Sequence, residues 1–142
     1  MTLRPVIIDT NVVVSGLLTA DPRSPTARIL DAMLQGGFPY LISQPLLEEY
    51  RAVLLRPRIR KRHGLSEREV DALLTEIVAS AMMRAPDPST SEIPDPGDAH
   101  LWALLASEPD ARLVTGDRAL VENPPPNADV ILPAEFCNLL WG

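Results

Sequence analysis

Short apolar segments alternate with helical segments along the 142-residue chain, and this alternation constrains the fold more than any other feature. Apolar runs predict strands at 5–8, 40–42, 112–115 and 130–132. Between them, Ser or Asp caps followed closely by proline predict helix starts. Strands that alternate with helices pair in parallel, because the chain crosses back over the sheet between them. The sequence therefore predicts an α/β domain with a central parallel sheet.

Capping residues and glycine or proline stops set the bounds of the predicted helices. The helices run from Ser24 to Gly36, from Ser43 to about Leu55, from Ser66 to about Met82, from Asp95 to about Ser107, and onward from Pro133. Residues 85–97 contain four prolines, and this segment is predicted to be an ordered loop.

Length and composition are typical of one globular domain spanning residues 1–142. Domains hold roughly 150 residues, and a 46% hydrophobic fraction with 23% charge suits a buried core. The single cysteine, Cys137, cannot form an internal disulfide, so a reducing compartment such as the cytoplasm is expected. No apolar run approaches the ~18 residues of a membrane span. Asp9 interrupts the first apolar stretch too early for a signal peptide.

Two aspartates follow predicted strands. Asp9 comes directly after the strand at 5–8, and Asp117 lies two residues beyond the strand at 112–115. Ligand sites of parallel α/β sheets form outside the carboxyl ends of the strands, where the strand order reverses. The two carboxylates are therefore candidates for one site, although a turn or a helix N-cap explains each of them as well.

Asp98 is the third candidate. The apolar face of its helix is formed by Leu101, Trp102 and Leu105. At about 100° per residue, Asp98 falls in the middle of that face, while His100 is predicted on the opposite, solvated side. A carboxylate on a core-facing stripe is costly to bury unless it is paired or bound to metal, which favours a functional role for Asp98. The alternative is that Asp98 is the third residue of a helix start with Asp95 as N-cap and Pro96 as first residue. Asp95 is favoured as the N-cap of the same helix.

The helix that begins at Ser43 carries two adjacent glutamates. Its apolar face comprises Leu46, Leu47, Tyr50, Val53 and Leu54. Glu48 lies nearly opposite the centre of this face and is predicted to be solvated. Glu49 lies at the border, where its side chain can reach over the sheet edge. Glu49 is thus the candidate ligand, although a flanking residue of the helix would have the same spacing.

Three or four carboxylates in one place repel one another unless a cation neutralises them. Oxygen ligands suit Mg²⁺ or Mn²⁺, and the lack of a His or Cys cluster in the sequence argues against structural zinc. Such a site can activate water and stabilise charge on a phosphoryl group. Phosphodiester hydrolysis is the chemistry that these residues predict.

Basic residues are concentrated in one strip. Six of the thirteen lie between positions 51 and 62, although the net charge of the chain is −6. They are Arg51, Arg56, Arg58, Arg60, Lys61 and Arg62. A positive strip near an acidic site suits a polyanion held by its backbone. A solvated helix face, or a docking surface for an acidic partner, is the alternative. Aromatic residues make up only 4%, so no base-stacking platform is evident.

Four motifs, in order, resemble the PIN domain family. They are Asp9-Thr10-Asn11, Glu49 within the segment 43–49, Asp95-Pro96-Gly97-Asp98, and Thr115-Gly116-Asp117. The resemblance extends from about Val6 to 133–136 and is nearest to the VapC-type toxins of toxin–antitoxin pairs. It implies a three-layer α/β/α fold, a Mg²⁺- or Mn²⁺-dependent ribonuclease, an antitoxin partner and a homodimer.

By position, the resemblance implies a role for each matching residue. The acidic cluster that binds metal and carries catalysis would be Asp9, Glu49, Asp98 and Asp117. Asp95 would be an auxiliary metal ligand. Asn11 and Thr115 would orient the ligands through hydrogen bonds, and Ser15 matches a small polar position near the site. The basic strip, which the charge distribution identifies, would follow the RNA backbone of such a substrate.

Two other functions fit the same residues. A small-molecule phosphohydrolase would use a similar sheet, but the haloacid-dehalogenase type needs a second Asp where Asn11 stands. A non-catalytic module would bind a metal or a basic partner in the acidic site without turnover.

Overall fold

The computed structural model describes residues 3–86 and 98–142. Five short strands run through it: β1 (Val6–Ile8), β2 (Leu41–Ile42), β3 (Met82–Met83), β4 (Arg112–Val114) and β5 (Val130–Ile131). Every pairing between them is parallel. The fold is the expected three-layer α/β/α sandwich with a central parallel sheet.

The strand order places a topological switch point at β1. β4 lies between β1 and β5, β2 pairs with β3, and a bridge between Val6 and Tyr40 joins the two groups. The resulting order is β3-β2-β1-β4-β5. The chain therefore adds β2 and β3 on one side of β1, and then crosses to the other side, where it adds β4 and β5. The carboxyl ends of β1 and β4 flank the crevice where α/β sheets bind ligands.

Eight helices connect and cover the strands in the described part of the chain. They are α1 (Thr10–Leu18), α2 (Pro25–Gln35), α3 (Gln44–Leu54), α4 (Pro57–His63), α5 (Glu67–Ser80), α6 (Ala99–Ser107), α7 (Arg118–Glu122) and α8 (Pro133–Trp141). None of those within residues 3–86 and 98–142 has the length and apolar character needed to cross a membrane.

The core is built from the strands and the inner faces of the helices. All three residues of β1 are buried, as are Leu113 and Val114 of β4. Tyr40 and Tyr50 are the largest side chains in this core, and both are fully buried. Each phenol donates a hydrogen bond to a main-chain carbonyl, Tyr40 to Ile77 at 2.6 Å and Tyr50 to Ile8. These bonds satisfy the hydroxyl groups that burial removes from water.

Several predicted boundaries change in the structure. A capping box of Ser66 and Glu69 begins α5 at the predicted position, but α5 ends at Ser80 and not near Met82, because Met82 and Met83 pair with β2. α4 was not predicted; it begins with Pro57 soon after the end of α3, since proline suits a first helical turn. α6 begins at Ala99, with Asp98 as its N-cap residue. The predicted start at Asp95, and most of the predicted loop at 85–97, lie outside the described residues.

Candidate active site

Asp9 lies at the centre of the site because it joins β1 to α1. Its main-chain N–H donates to the Val114 carbonyl of β4 at 2.9 Å, which continues the sheet pairing past the end of β1. Its side chain accepts a 2.8 Å hydrogen bond from the Thr10 N–H and caps α1. The capping role considered for Asp9 is therefore real, and it also fixes the carboxylate at the end of the strand.

Thr115 and Asn11 hold this arrangement together. The fully buried Thr115 donates its hydroxyl to Asp9 Oδ2 at 2.8 Å and accepts from the Asp117 N–H at 3.2 Å. Asn11 donates to Asp9 Oδ2 and to Thr115 Oγ1, both at 3.3 Å, and accepts from the Gly116 N–H at 3.0 Å. One hydrogen-bonded network thus links the segments that follow β1 and β4, and it includes both residues predicted to orient ligands.

Glu49 reaches the same region from α3. Its Oε2 accepts a hydrogen bond from the hydroxyl of Thr10, the residue after Asp9. Its neighbour Tyr50 is buried and donates to the carbonyl of Ile8, so the turn of α3 that carries Glu49 is fastened to the end of β1. Glu48 is exposed and interacts with Gln44 at 3.2 Å. The different placement predicted for the two glutamates is confirmed.

Asp98 and Asp117 stand at the starts of two further helices. Asp98 is half-buried at the N-terminus of α6. Asp117 is exposed, and its carboxylate accepts from the Leu120 N–H at 3.3 Å, which caps α7. The cap considered for Asp117 is present, as it is for Asp9. Asp95 lies outside the described residues.

One cavity of about 750 Å³ brings the four predicted carboxylates together. Asp9, Glu49, Asp98 and Asp117 all line it, and Asn11 and Ser15 of α1 line it as well. Ser15 is exposed and lies 3.0 Å from the Thr26 hydroxyl. From the other side, the cavity is lined by Arg56, Ile59 and Arg62 of α4 and its cap. Acidic groups from four chain segments therefore face a space that basic groups also border.

Burial sets the electrostatics at Asp9. Desolvation raises the pKa of this carboxyl above its ordinary value, and the neighbouring charge of Glu49 raises it further. The hydrogen bonds from Thr115 and Thr10, and the proximity of His100, act in the opposite direction. The net upward shift means that the ionised carboxylate lacks full compensation from the surrounding protein groups. A cation would supply that compensation.

His100 contradicts its predicted position on a solvated face. Its side chain is only 18% exposed, and Nε2 lies 3.4 Å from Glu49 Oε1. The prediction was wrong because α6 packs through Leu101, Ala103 and Leu104, whereas Trp102 and Leu105 are only partly buried. This rotation of the buried face turns His100 inward. Sequence reasoning also missed Thr10, whose hydroxyl binds Glu49.

The six basic residues occupy different surroundings. Arg51 of α3 pairs with Glu67 at 2.6 Å and with Asp71 at 2.8 Å, both on α5. Arg56 and Arg62 line the acidic cavity. Arg60 and Lys61 line a separate depression with Leu65 and Glu69, and Arg58 is exposed. In the described part of the chain, none of these five residues outside α3 forms a side-chain ion pair. Arg51, by contrast, fastens α3 to α5.

The donor atoms of the cavity suit a hard divalent cation, since every carboxylate and the nearby hydroxyl and amide groups offer oxygen. Within residues 3–86 and 98–142, however, no three His, Cys, Asp or Glu side chains stand close enough to form a metal-binding group. The donor chemistry therefore fits Mg²⁺ or Mn²⁺, while the side-chain positions do not form a closed coordination shell.

The fold and the cavity together define an α/β protein with a carboxylate-lined site at the switch point of its sheet. A family model described as "PIN domain" matches residues 5–119, which is most of the chain. The chain belongs to the PIN domain family. PIN domains are generally nucleases, which agrees with the phosphodiester chemistry predicted for the acidic residues.

A solved structure is similar in fold. It is the VapBC2 complex of Rickettsia felis bound to a DNA fragment from its promoter. The match has a TM-score of 0.59 and 13% sequence identity, and it covers 90% of this chain and 98% of that chain. No curated protein matches the sequence.

Proposed function

We propose that the protein is a Mg²⁺- or Mn²⁺-dependent endoribonuclease and the toxin of a toxin–antitoxin pair. One observation carries the proposal: four carboxylates from separate segments line a single cavity that Arg56 and Arg62 also line. This combination suits the hydrolysis of a polyanion whose backbone phosphates bind beside the acidic groups. The choice of RNA as the polyanion rests on the resemblance to PIN-domain ribonucleases.

The residues that would hold a divalent cation are Asp9, Glu49, Asp98 and Asp117, with Asp95 as an auxiliary ligand. When bound, such a cation lowers the pKa of water and neutralises charge that develops at the scissile phosphate. The chain itself orients the ligands. Thr115, Asn11 and the Thr10 N–H fix the Asp9 carboxylate, and the Thr10 hydroxyl fixes Glu49.

The substrate would bind through the cavity-facing side of α4. Arg56 and Arg62 border the carboxylates, so they can hold phosphates next to the bond that is cut. Arg58, Arg60 and Lys61 would contribute long-range attraction to the RNA. Arg51 contributes little to this binding, because Glu67 and Asp71 already neutralise it.

Arg56 and Arg62 line the cavity, whereas Arg58 and Arg60 do not, so two double substitutions that remove equal charge can be compared. We expect the double variant R56Q/R62Q to raise the KM for single-stranded RNA by at least about tenfold at low salt. We also expect it to reduce the slope of log affinity against log salt by about 1.4, because two phosphate contacts are lost. The pair R58Q/R60Q removes the same charge away from the cavity and should change the KM much less. Equal effects of the two pairs on the KM would contradict a phosphate site at Arg56 and Arg62.

Regulation by an antitoxin and assembly as a homodimer are part of the proposal. The fold similarity to a chain of the VapBC2 complex, named for its toxin and antitoxin components, supports the first. The resemblance to VapC-type toxins supports the second. The proposal also assigns the protein to the cytoplasm, as expected for a chain with a single cysteine. The proposal treats residues 1–142 as one PIN domain.

Cleavage of defined RNAs tests the proposal. The purified chain is incubated with structured and single-stranded RNA, and with DNA of the same sequence, in Mg²⁺, Mn²⁺ or EDTA. Wild type is compared with D98N, and with D31N as a control on the exposed face of α2. We expect metal-dependent cleavage of RNA by wild type and D31N, and a loss on the order of 10²-fold or more in D98N.

Three other outcomes of this assay would overturn parts of the proposal. Equal cleavage by D98N would indicate a contaminating nuclease or a site elsewhere. Cleavage of DNA at the same rate as RNA would contradict a ribonuclease. Metal binding without cleavage of any substrate would favour the non-catalytic module.

A further inference from the structure

His100 makes a contact that the proposed nuclease site does not yet explain. Its imidazole is largely buried, with 18% of the side chain exposed. Nε2 lies 3.4 Å from Glu49 Oε1, at the long end of hydrogen-bond distance. The ring therefore sits directly behind a carboxylate of the acidic cavity, although His100 itself is absent from the residues that line that cavity.

This orientation has an energetic cost at the other ring nitrogen of His100. Nδ1 is buried and has no hydrogen-bond partner in the described part of the chain. An unsatisfied buried polar atom costs about 1–3 kcal/mol, so a side chain placed in this way calls for an explanation. The contact with Glu49 provides it, because the tautomer that carries its proton on Nε2 donates to the carboxylate and leaves Nδ1 as a bare lone pair.

Thr10 completes the arrangement from the opposite side. Its hydroxyl donates to Glu49 Oε2, while His100 faces Oε1, so each carboxylate oxygen has its own donor. The donors come from two different elements. Thr10 begins α1, next to Asp9, and His100 lies on α6 two residues after Asp98. The pair thus couples the orientation of Glu49 to the chain segments that carry the neighbouring carboxylates.

We infer that His100 is a positioning residue, which, together with Thr10, holds the Glu49 carboxylate in the orientation needed to bind the divalent cation. The inference rests on the proposed nuclease function and assigns His100 no direct contact with metal or RNA. Groups that orient metal ligands typically affect metal affinity or activity by 10- to 100-fold when they are removed. The expected effect of His100 is therefore on the metal-dependent step, with little effect on RNA binding.

Two substitutions of equal polarity separate positioning from packing. The amide nitrogen of Gln matches the position of the histidine Nε2, whereas that of Asn matches Nδ1. We expect H100Q to keep kcat and the half-saturating Mn²⁺ concentration within about threefold of wild type. We expect H100N to lower kcat by about tenfold or more and to raise that Mn²⁺ concentration similarly, with the KM for RNA within about twofold. Equal kinetics for H100Q and H100N, or a change confined to the KM, would overturn the inference.

A spectroscopic measurement tests the contact without any activity. The ring nitrogens of the two histidines are observed by long-range ¹H–¹⁵N correlation in the full-length, metal-free protein, and H63Q and H100Q assign them. We expect His100 to carry its proton on Nε2 and to shift in E49Q, but to stay unchanged in E48Q. A His100 protonated only at Nδ1, or unaffected by E49Q, would overturn the inference.

The two tests distinguish failure of this inference from failure of the nuclease proposal. If wild type cleaves no RNA, the nuclease proposal fails, while the nitrogen spectra still decide whether His100 contacts Glu49. If wild type cleaves RNA but the spectra of E49Q and wild type are identical at His100, the positioning role fails and the nuclease proposal stands.

Discussion

Replacement of Asp9 by Asn is expected to lower the kcat of metal-dependent RNA cleavage by on the order of 10³-fold, or about 4 kcal/mol in transition-state stabilisation. Asp9 occupies the switch point between β1 and β4, where hydrogen bonds from Thr10, Asn11 and Thr115 fix its carboxylate. The Asn side chain keeps the shape and one oxygen but removes the negative charge that a divalent cation would require. Steady-state kinetics in saturating Mn²⁺ measures this loss.

The same substitution has a predictable effect on stability in metal-free buffer. Burial raises the pKa of Asp9, so the folded protein binds this proton more tightly than the unfolded chain does. The corresponding stability is present below the ordinary Asp pKa and is lost as the pH rises through the raised pKa. D9N has no such group. We therefore expect the melting temperature of D9N, relative to wild type, to be higher at pH 7 than at about pH 3.

Cleavage kinetics and melting temperature together test the role of Asp9. Loss of activity with a folded, cooperative melting transition places the effect in the site rather than in the fold. Cleavage by D9N at the wild-type rate would remove Asp9 from the catalytic machinery. If the melting temperature of D9N relative to wild type were instead lower at pH 7 than at about pH 3, the lost hydrogen bonds would outweigh the relief of the buried charge.

Replacement of Glu49 by Gln is expected to have the second-largest effect, with a loss of kcat on the order of 10²- to 10³-fold. The substitution removes a charge that faces the cavity. It also turns one carboxylate oxygen into an N–H group that confronts either the Thr10 hydroxyl or the His100 ring. Both partners donate to the native carboxylate, so the partner that meets the amide N–H must reverse its role and accept instead.

Glu48 provides the matched control for Glu49. It lies next to Glu49 on α3, carries the same charge and is exposed. We expect E48Q to cleave RNA within about twofold of wild type, since only its interaction with Gln44 is affected. Kinetics of both variants under identical metal and RNA conditions measure the difference. Similar losses in E48Q and E49Q would show that net charge on α3, rather than the orientation of one carboxylate, governs activity.

The sequence predicts the strand ends and their acids well, because both depend on short-range signals. The fully apolar β1 and the Thr115-Gly116-Asp117 segment mark two strands that turn out to be neighbours. Caps and glycine stops predict α2, including the left-handed Gly36 that ends it. The periodicity of α3 separates Glu48 from Glu49. Each of these features is determined by residues within a few positions of one another.

Features that depend on tertiary packing are not predicted from the sequence. α1 begins in a stretch rich in Thr and Val, whose branched side chains have low helix propensity, and its burial against α2 and the sheet overrides that preference. The two-residue β3 exists only because it pairs with β2. The inward position of His100 depends on which residues of α6 meet the core. Trp102 and Leu105 look equally suitable, yet Leu104 and Ala103 are buried instead.

Ion pairing within the basic strip also depends on tertiary packing and cannot be predicted from the sequence. No acidic residue follows Arg51 in the sequence until Glu67, 16 positions further on, but the packing of α5 against α3 brings Glu67 and Asp71 to it. Only the fold distinguishes this neutralised arginine from Arg56 and Arg62, which line the cavity. Spacing along the chain therefore identifies the basic strip but not the members that face the site.

Direct binding of Mn²⁺ is the measurement that tests the central claim most closely. Electron paramagnetic resonance of free Mn²⁺ is recorded during titration of wild type, D9N, E49Q and E48Q. The proposed site predicts saturable binding by wild type and E48Q that Mg²⁺ competes away, with affinity at least about tenfold weaker in D9N and E49Q. No saturable binding by wild type, or equal affinities in all four proteins, would contradict a metal site built from these carboxylates.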